Sequence, residues 1–119
     1  MDSENNCTCA KPPRAERIAR LNDALRKRGE GGNFMVTAGV RSLSDFDPIT
    51  LAKALANYAA FDGENDPHGE RDFGDIHLFG ADLFWKIDYY DLERKYGSDD
   101  PADEAVTARV LTVMLVSEY

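Results

Sequence analysis

Asn65–Asp91, NDPHGERDFGDIHLFGADLFWKIDYYD, is the stretch on which the reading of this chain turns. It holds both histidines, the sole tryptophan and a crowd of carboxylates. Asp75–Phe79 and Asp82–Tyr89 are rich in aromatic and aliphatic residues and read as two strands joined at Gly80-Ala81. Glycine at the first central position suits a two-residue type II′ loop, because only glycine takes a positive φ there cheaply. That register pairs Leu78 with Leu83 and Ile76 with Trp85 on a wholly apolar face. It pairs His77 with Phe84 and Asp75 with Lys86 on a mixed face. A one-residue slip would exchange the faces, so side-chain chemistry holds the strands in phase. Ile87 and Tyr89 continue the apolar face; Asp88 and Tyr90 continue the mixed one.

Working outward, Pro13 to Arg28 reads as a helix. Ile18, Leu21 and Leu25 recur at helical spacing, with basic residues in the last turn and Gly29 as the stop. Gly29–Asn33 is a glycine-rich linker without the lysine and hydroxyl residue of a phosphate-binding loop. Phe34 to Val40 alternates as a strand, with Phe34, Val36, Ala38 and Val40 on one face. Asp47-Pro48 opens a second helix that runs to about Ala60. Asp47 caps it, and Phe46 and Leu51 occupy the positions of a hydrophobic staple. Ile49, Ala52, Leu55, Ala56 and Ala59 form its apolar face. Leu92–Tyr96 suggests a short helical turn. Asp100-Pro101 signals a third helix, Pro101 to Ser117, with Val106, Val110, Val113, Met114 and Ser117 as its stripe. The expected fold is α+β: a small three-stranded antiparallel or mixed sheet with a central hairpin, packed against three helices. The expected organisation is a disordered polar tail over residues 1–11 and one domain over 12–119.

The sequence contains no apolar run of the ~18 residues a membrane span requires. It opens on polar residues rather than a leader's apolar core, so a cytoplasmic protein is expected. Cys7 and Cys9 fall short of a four-ligand zinc site, and Cys-x-Cys closes a cramped disulfide ring. They read as tail thiols without a role; a homodimer sharing a metal there is the sharper alternative. The net charge of −8 is unevenly spread: residues 1–30 carry +2, residues 31–60 carry 0, and residues 61–119 carry −10. Such an acidic half repels phosphates, which argues against direct nucleic-acid binding despite the arginines of the first helix. It would attract a basic protein or a cation.

The acidic loop and the end of the hairpin's second strand hold the candidate site. Asp62, Glu64, Asp66, Glu70, Asp72, Asp88, Tyr90 and Asp91 are the residues expected to meet a basic partner, the tyrosine because its amphipathic ring suits interfaces. An alternative assigns Asp66, His68, Glu70 and Asp72 to a divalent metal ion. Alternation in an extended segment would project them to one side, and a metal-bound water could then hydrolyse a substrate. Pro67 and Gly69 work against such extension. The blander reading is a turn-rich loop in which Asn65 and Asp66 build Asx turns. No serine or cysteine sits in a nucleophile context, and no catalytic residue is assigned.

NDPHGERDFG, WKIDYYD, GSDDPAD and TARVLTVMLVSEY, in that order, resemble the bacterial domain-of-unknown-function family 3768, over about Arg20 to Tyr119. Members are small proteins of proteobacterial genomes, plasmids and prophages, so the resemblance implies a mobile-element context rather than an activity. Members often carry histidine where this chain has Arg71, and arginine cannot bind a cation. The expectation is therefore a non-enzymatic acidic binding protein, pictured as a mobile-element inhibitor of a basic, nucleic-acid-handling or defence protein. A small metal-dependent hydrolase is the alternative.

Overall fold

The computed structural model describes residues 12–119; the expected polar tail, with Cys7 and Cys9, lies outside them. Helix α1 (Arg14–Arg28) forms where the periodicity placed it. Gly29 closes it in the left-handed conformation, and the amides of Gly29 and Glu30 return to the carbonyls of Leu25 and Ala24. Its buried face is Ile18, Ala19, Asn22, Leu25 and Arg26. Arg26 is therefore no part of a solvated basic face. Its guanidinium donates to the carbonyls of Leu55 and Tyr58, pairs with Asp23 at 2.8 Å, and lies over the rings of Phe61 and Trp85. It thus satisfies carbonyls that the end of another helix leaves open.

Strand β1 (Gly32–Val36) is shorter than expected. The Thr37 hydroxyl accepts from the Val40 amide and starts the one-turn helix α2 (Ala38–Arg41), so a cap ends the strand before Ala38 and Val40, which the alternation had included. Helix α3 (Pro48–Asn57) begins as read, with Asp47 accepting from the Thr50 amide at 2.9 Å. It stops at Tyr58, short of Ala60, and it buries Leu51, Leu55 and Tyr58. Of the expected apolar face Leu55 is buried, whereas Ile49, Ala52 and Ala59 are exposed.

The hairpin is β2 (Phe73–Leu78) and β3 (Ala81–Tyr90). Its register is displaced by two residues from the expected one: Leu78 opposes Ala81, Ile76 opposes Leu83, and Asp75 opposes Phe84. The loop is Phe79-Gly80, both at positive φ, which is the pattern of a type I′ turn. Phe79 is held in that costly conformation while its ring packs edge-on against Phe46 at 5.6 Å. A two-residue shift conserves faces, so the apolar and mixed sides survive while the partners change. The Asp75–Lys86 pair is absent. Lys86 pairs instead with Asp88 at 3.0 Å, and His77 with Asp82 at 2.8 Å.

The larger correction concerns the C-terminus. Residues expected as a third helix form strand β4 (Ala108–Leu115), and the third helix of the fold is α2. The sheet therefore has four strands in the order β1-β4-β3-β2, and the hairpin occupies one side of it rather than its centre. β4 runs parallel to β1 and antiparallel to β3. It is flanked on both sides and buried on both faces: Arg109, Leu111 and Val113 on one, Val110 and Met114 on the other. A strand covered on both faces needs no polar alternation, and a short apolar run then mimics a helical stripe. The Asp100-Pro101 signal is real but local, since Asp100 accepts from the Ala102 amide to make a turn. Val116–Glu118 closes the chain as a 3-10 turn.

The core lies between one sheet face and α1 and α3, with Leu25, Leu51, Leu55, Tyr58, Leu83, Trp85, Ile87, Leu111 and Val113 at its centre. Gly74 in β2 lets the Trp85 and Tyr58 rings approach: a Cβ there would lie 2.5 Å from both Trp85 Nε1 and Tyr58 Cζ. Gly74→Ala is expected to cost about 1–3 kcal/mol through overpacking. Gly63→Ala, which meets open space, should stay within about 0.5 kcal/mol of the parent. Urea denaturation of the two variants checks the contrast.

Candidate functional site

Strand direction decides where the acidic segments go. β2 and β4 both run antiparallel to β3, and β1 runs parallel to β4. The starts of β1, β2 and β4 and the end of β3 therefore share one end of the sheet. The connection before β2, residues 58–72, and the connection between β3 and β4, residues 91–107, both emerge there. Of the fifteen carboxylates in residues 61–119, eleven belong to these two connections, against Arg71, Arg94 and Lys95.

Short side-chain contacts shape both connections. Asp62 accepts from the amides of Glu64 and Asn65 at 2.8 and 3.0 Å, and these bonds hold its carboxyl below the usual range. Asp66 accepts from the Arg71 amide at 2.9 Å. Asp91 accepts from the Lys95 amide at 3.0 Å, so Leu92–Tyr96 is a clipped loop rather than a helical turn. Asp103 accepts from the Ala105 amide at 2.9 Å. Asp62 and Asp103 thus build Asx turns, while Asp66 and Asp91 reach five and four residues ahead and close wider loops, so the turn expected at Asp66 is not of the Asx kind.

Arg71, the one base of the first connection, is drawn away from it. At a φ of 53° it reaches helix α1, meeting Asp23 at 2.9 Å and Glu16 at 3.3 Å. Burial alone would raise the Asp23 carboxyl; hydrogen bonds from Arg71 and Arg26 outweigh it and hold the group low. Among the described residues, only Asp100 (with Arg14, 3.0 Å) and Glu93 (with Lys95, 3.8 Å) of the eleven carboxylates form ion pairs. Asp72 shows the effect of this crowding. Burial first, then the charges of Glu70 and Asp66, push its carboxyl above the usual range, opposed by its own backbone amide and by His68.

Of the residues singled out in the sequence, Asp62, Glu64, Asp66, Glu70, Asp72 and Asp91 come together at this end. Asp88 and Tyr90 also lie near the end of β3 but on its other face. There they line a shallow groove of about 500 Å³ with Lys86, Thr112, Met114 and Tyr119. Asp66, His68, Glu70 and Asp72 do not project from one side of an extended strand. Gly69 and Arg71 both take positive φ and break the alternation. Among the described residues no three His, Cys, Asp or Glu side chains are grouped to hold a metal ion.

Sequence reasoning missed the polar cluster beneath this end. Asn22 is fully buried on α1; its amide donates to the Glu70 carbonyl at 2.9 Å and the Tyr89 hydroxyl at 2.8 Å, and its oxygen accepts from Arg109 Nε at 2.8 Å. The Tyr89 hydroxyl in turn donates to the Glu70 carboxylate at 2.8 Å. Arg109 also donates to the Pro101 carbonyl and lies over the Tyr89 ring at 5.1 Å. One network thus ties helix α1 to β3, to β4 and to both acidic connections. The available signal was an arginine inside an apolar run, Ala108-Arg109-Val110-Leu111, and an asparagine on the apolar face of α1.

The chain belongs to the family described as Protein of unknown function (DUF3768), which matches residues 36–118. No curated protein and no solved structure matches it. No helix among the described residues is long and apolar enough to cross a membrane.

Two substitutions test the network and the crowding. Tyr89→Phe strands the Asn22 amide and the Glu70 carboxylate and should cost about 1–3 kcal/mol in urea denaturation. Asp72→Asn should do the opposite at neutral pH. The folded-state pKa of Asp72 is raised, so its ionisation counts against the fold. The variant should exceed the parent in stability above that pKa, and the gap should close as pH falls below the unfolded value.

Proposed function

We propose that this chain is a non-enzymatic binding protein whose acidic sheet end engages a basic partner protein. The observation that carries the reading is the gathering of eleven carboxylates into two neighbouring connections whose bases are few and, in the case of Arg71, turned inward. Carboxylates without counter-charges keep a long-range field, which steers a basic surface toward them and sets orientation. The turns give that field a fixed shape, because Asp62, Asp66, Asp91 and Asp103 are each bound to backbone amides. A protein that normally handles nucleic acid offers a surface of the complementary sign. On a mobile element, the contact would act as an inhibitor of a defence nuclease.

The test separates charge position from charge number. One variant replaces Glu64, Asp99, Asp103 and Glu104 in the connections with Gln or Asn. A second replaces Asp45, Asp75, Asp82 and Glu118, which lie elsewhere, to the same net charge. A partner captured by the parent chain should be basic, and calorimetry should show binding weaken steeply as salt rises, since ions screen exposed charges within about 10 Å at 0.1 M. The first variant should lose most of that affinity and the second should keep it. A partner retained at high salt, or equal losses in both variants, would contradict the reading.

A further inference from the structure

Away from the acidic end, the sheet has one edge that nothing in its own sequence protects. β1 is a terminal strand of the sheet and reads Gly-Asn-Phe-Met-Val, without a charge or a proline. Edge strands of soluble proteins usually carry such a block, because an open row of amides and carbonyls recruits another strand. Side chains on both faces of this edge are apolar and open to solvent: Phe34 is 44% exposed and Met35 59%. Between β1 and α3 lies a groove of about 230 Å³, walled by Phe34, Val36, Pro48, Leu51, Ala52 and Leu55 among others.

The geometry points to a second copy of this chain as the occupant, paired antiparallel through β1 about a two-fold axis at Phe34. Three observations favour a copy over another partner. The first is backbone polarity. The Thr37 amide donates inward to the Val113 carbonyl, so by alternation Asn33 and Met35 also face β4, while Gly32, Phe34 and Val36 face outward. A two-fold axis at Phe34 then sets Phe34 against Phe34 of the copy, and Gly32 against Val36, each an outward-facing, hydrogen-bonding pair. The second is charge. Residues 31–60 are net neutral in a chain of net charge −8, so this edge does not select a basic partner and does not repel a like one. The third is direction. The acidic connections lie at the start of β1, and antiparallel pairing sends the two acidic ends to opposite ends of the joined sheet. The most repulsive surfaces are thereby kept apart and free.

Sedimentation equilibrium of the full chain reads this directly. The expected result is a species of twice the 13.3 kDa chain mass, strengthened by salt, since salt screens the repulsion between acidic copies. That response is opposite to the one expected of the basic-partner contact, so the two ideas fail separately. Phe34→Pro removes an outward donor while sparing the bonds from Met35 and Thr37 to β4, and Phe34→Lys adds a charge at the axis. Each should raise the dimer dissociation constant roughly tenfold or more with the far-ultraviolet circular dichroism unchanged. A monomer at all concentrations up to about 1 mM, an extended peptide taken up at β1 by a chain that stays monomeric, or a dimer indifferent to both Phe34 variants would overturn the proposal.

Discussion

The pairing of β4 between β1 and β3 is the constraint from which the rest of the molecule follows. It joins the hairpin to the β1 edge, and its direction brings three strand starts and one strand end to the same place. Burying that strand means burying Arg109, which is 1% exposed. A buried guanidinium is costly unless its donors find partners. Asn22 takes Nε and the Pro101 carbonyl takes Nη2, while the face of the Tyr89 ring covers the group; Nη1 is enclosed without a hydrogen-bond partner. The same contacts lock α1 onto the sheet and anchor the connection that carries Glu70. Packing, strand order and placement of the charged segments are therefore one problem with one solution.

This arrangement explains how a chain of net charge −8 keeps a stable shape with so much of its charge at one end. The core is conventional, an apolar sheet face against two helices, with Trp85, Tyr58 and Phe61 meeting edge to face. The bases that could have neutralised the acidic connections serve other ends. Arg26 satisfies carbonyls at the end of α3, Arg71 binds carboxylates of α1, and Arg109 is enclosed. Internal demand for cations leaves the outer carboxylates without them.

Local chemistry was legible in the sequence where a residue type answers a backbone demand. Asp47-Pro48 started a helix, Gly29 ended one, and the alternation from Ile76 to Tyr89 gave the right faces. Register was not legible, because type I′ and II′ loops at Phe79-Gly80 or Gly80-Ala81 give the same faces two residues apart. What decides between them is the packing of Phe79 on Phe46, a contact between residues distant in sequence. β4 was hidden for a related reason. Val106, Val110, Val113 and Met114 fit a helical stripe, and burial on both faces erased the alternation that marks a strand. The acidic residues of the candidate site were readable one by one. Their meeting at one end of the sheet depended on the missed strand, and so did the role of Arg109.

The central claim is electrostatic: the carboxylates of residues 58–72 and 91–107 concentrate negative potential at one end of the sheet, and it falls off toward the opposite end, where β1 finishes at Val36. Paramagnetic relaxation of backbone protons by paired cationic and anionic nitroxides measures that potential residue by residue. The account predicts that the cationic probe is enriched several-fold over the anionic one at those two connections, with an excess that shrinks along β1 from Gly32 to Val36. An even excess of the cationic probe over the whole surface would contradict it, because the charge would then be scattered rather than gathered by the direction of the strands.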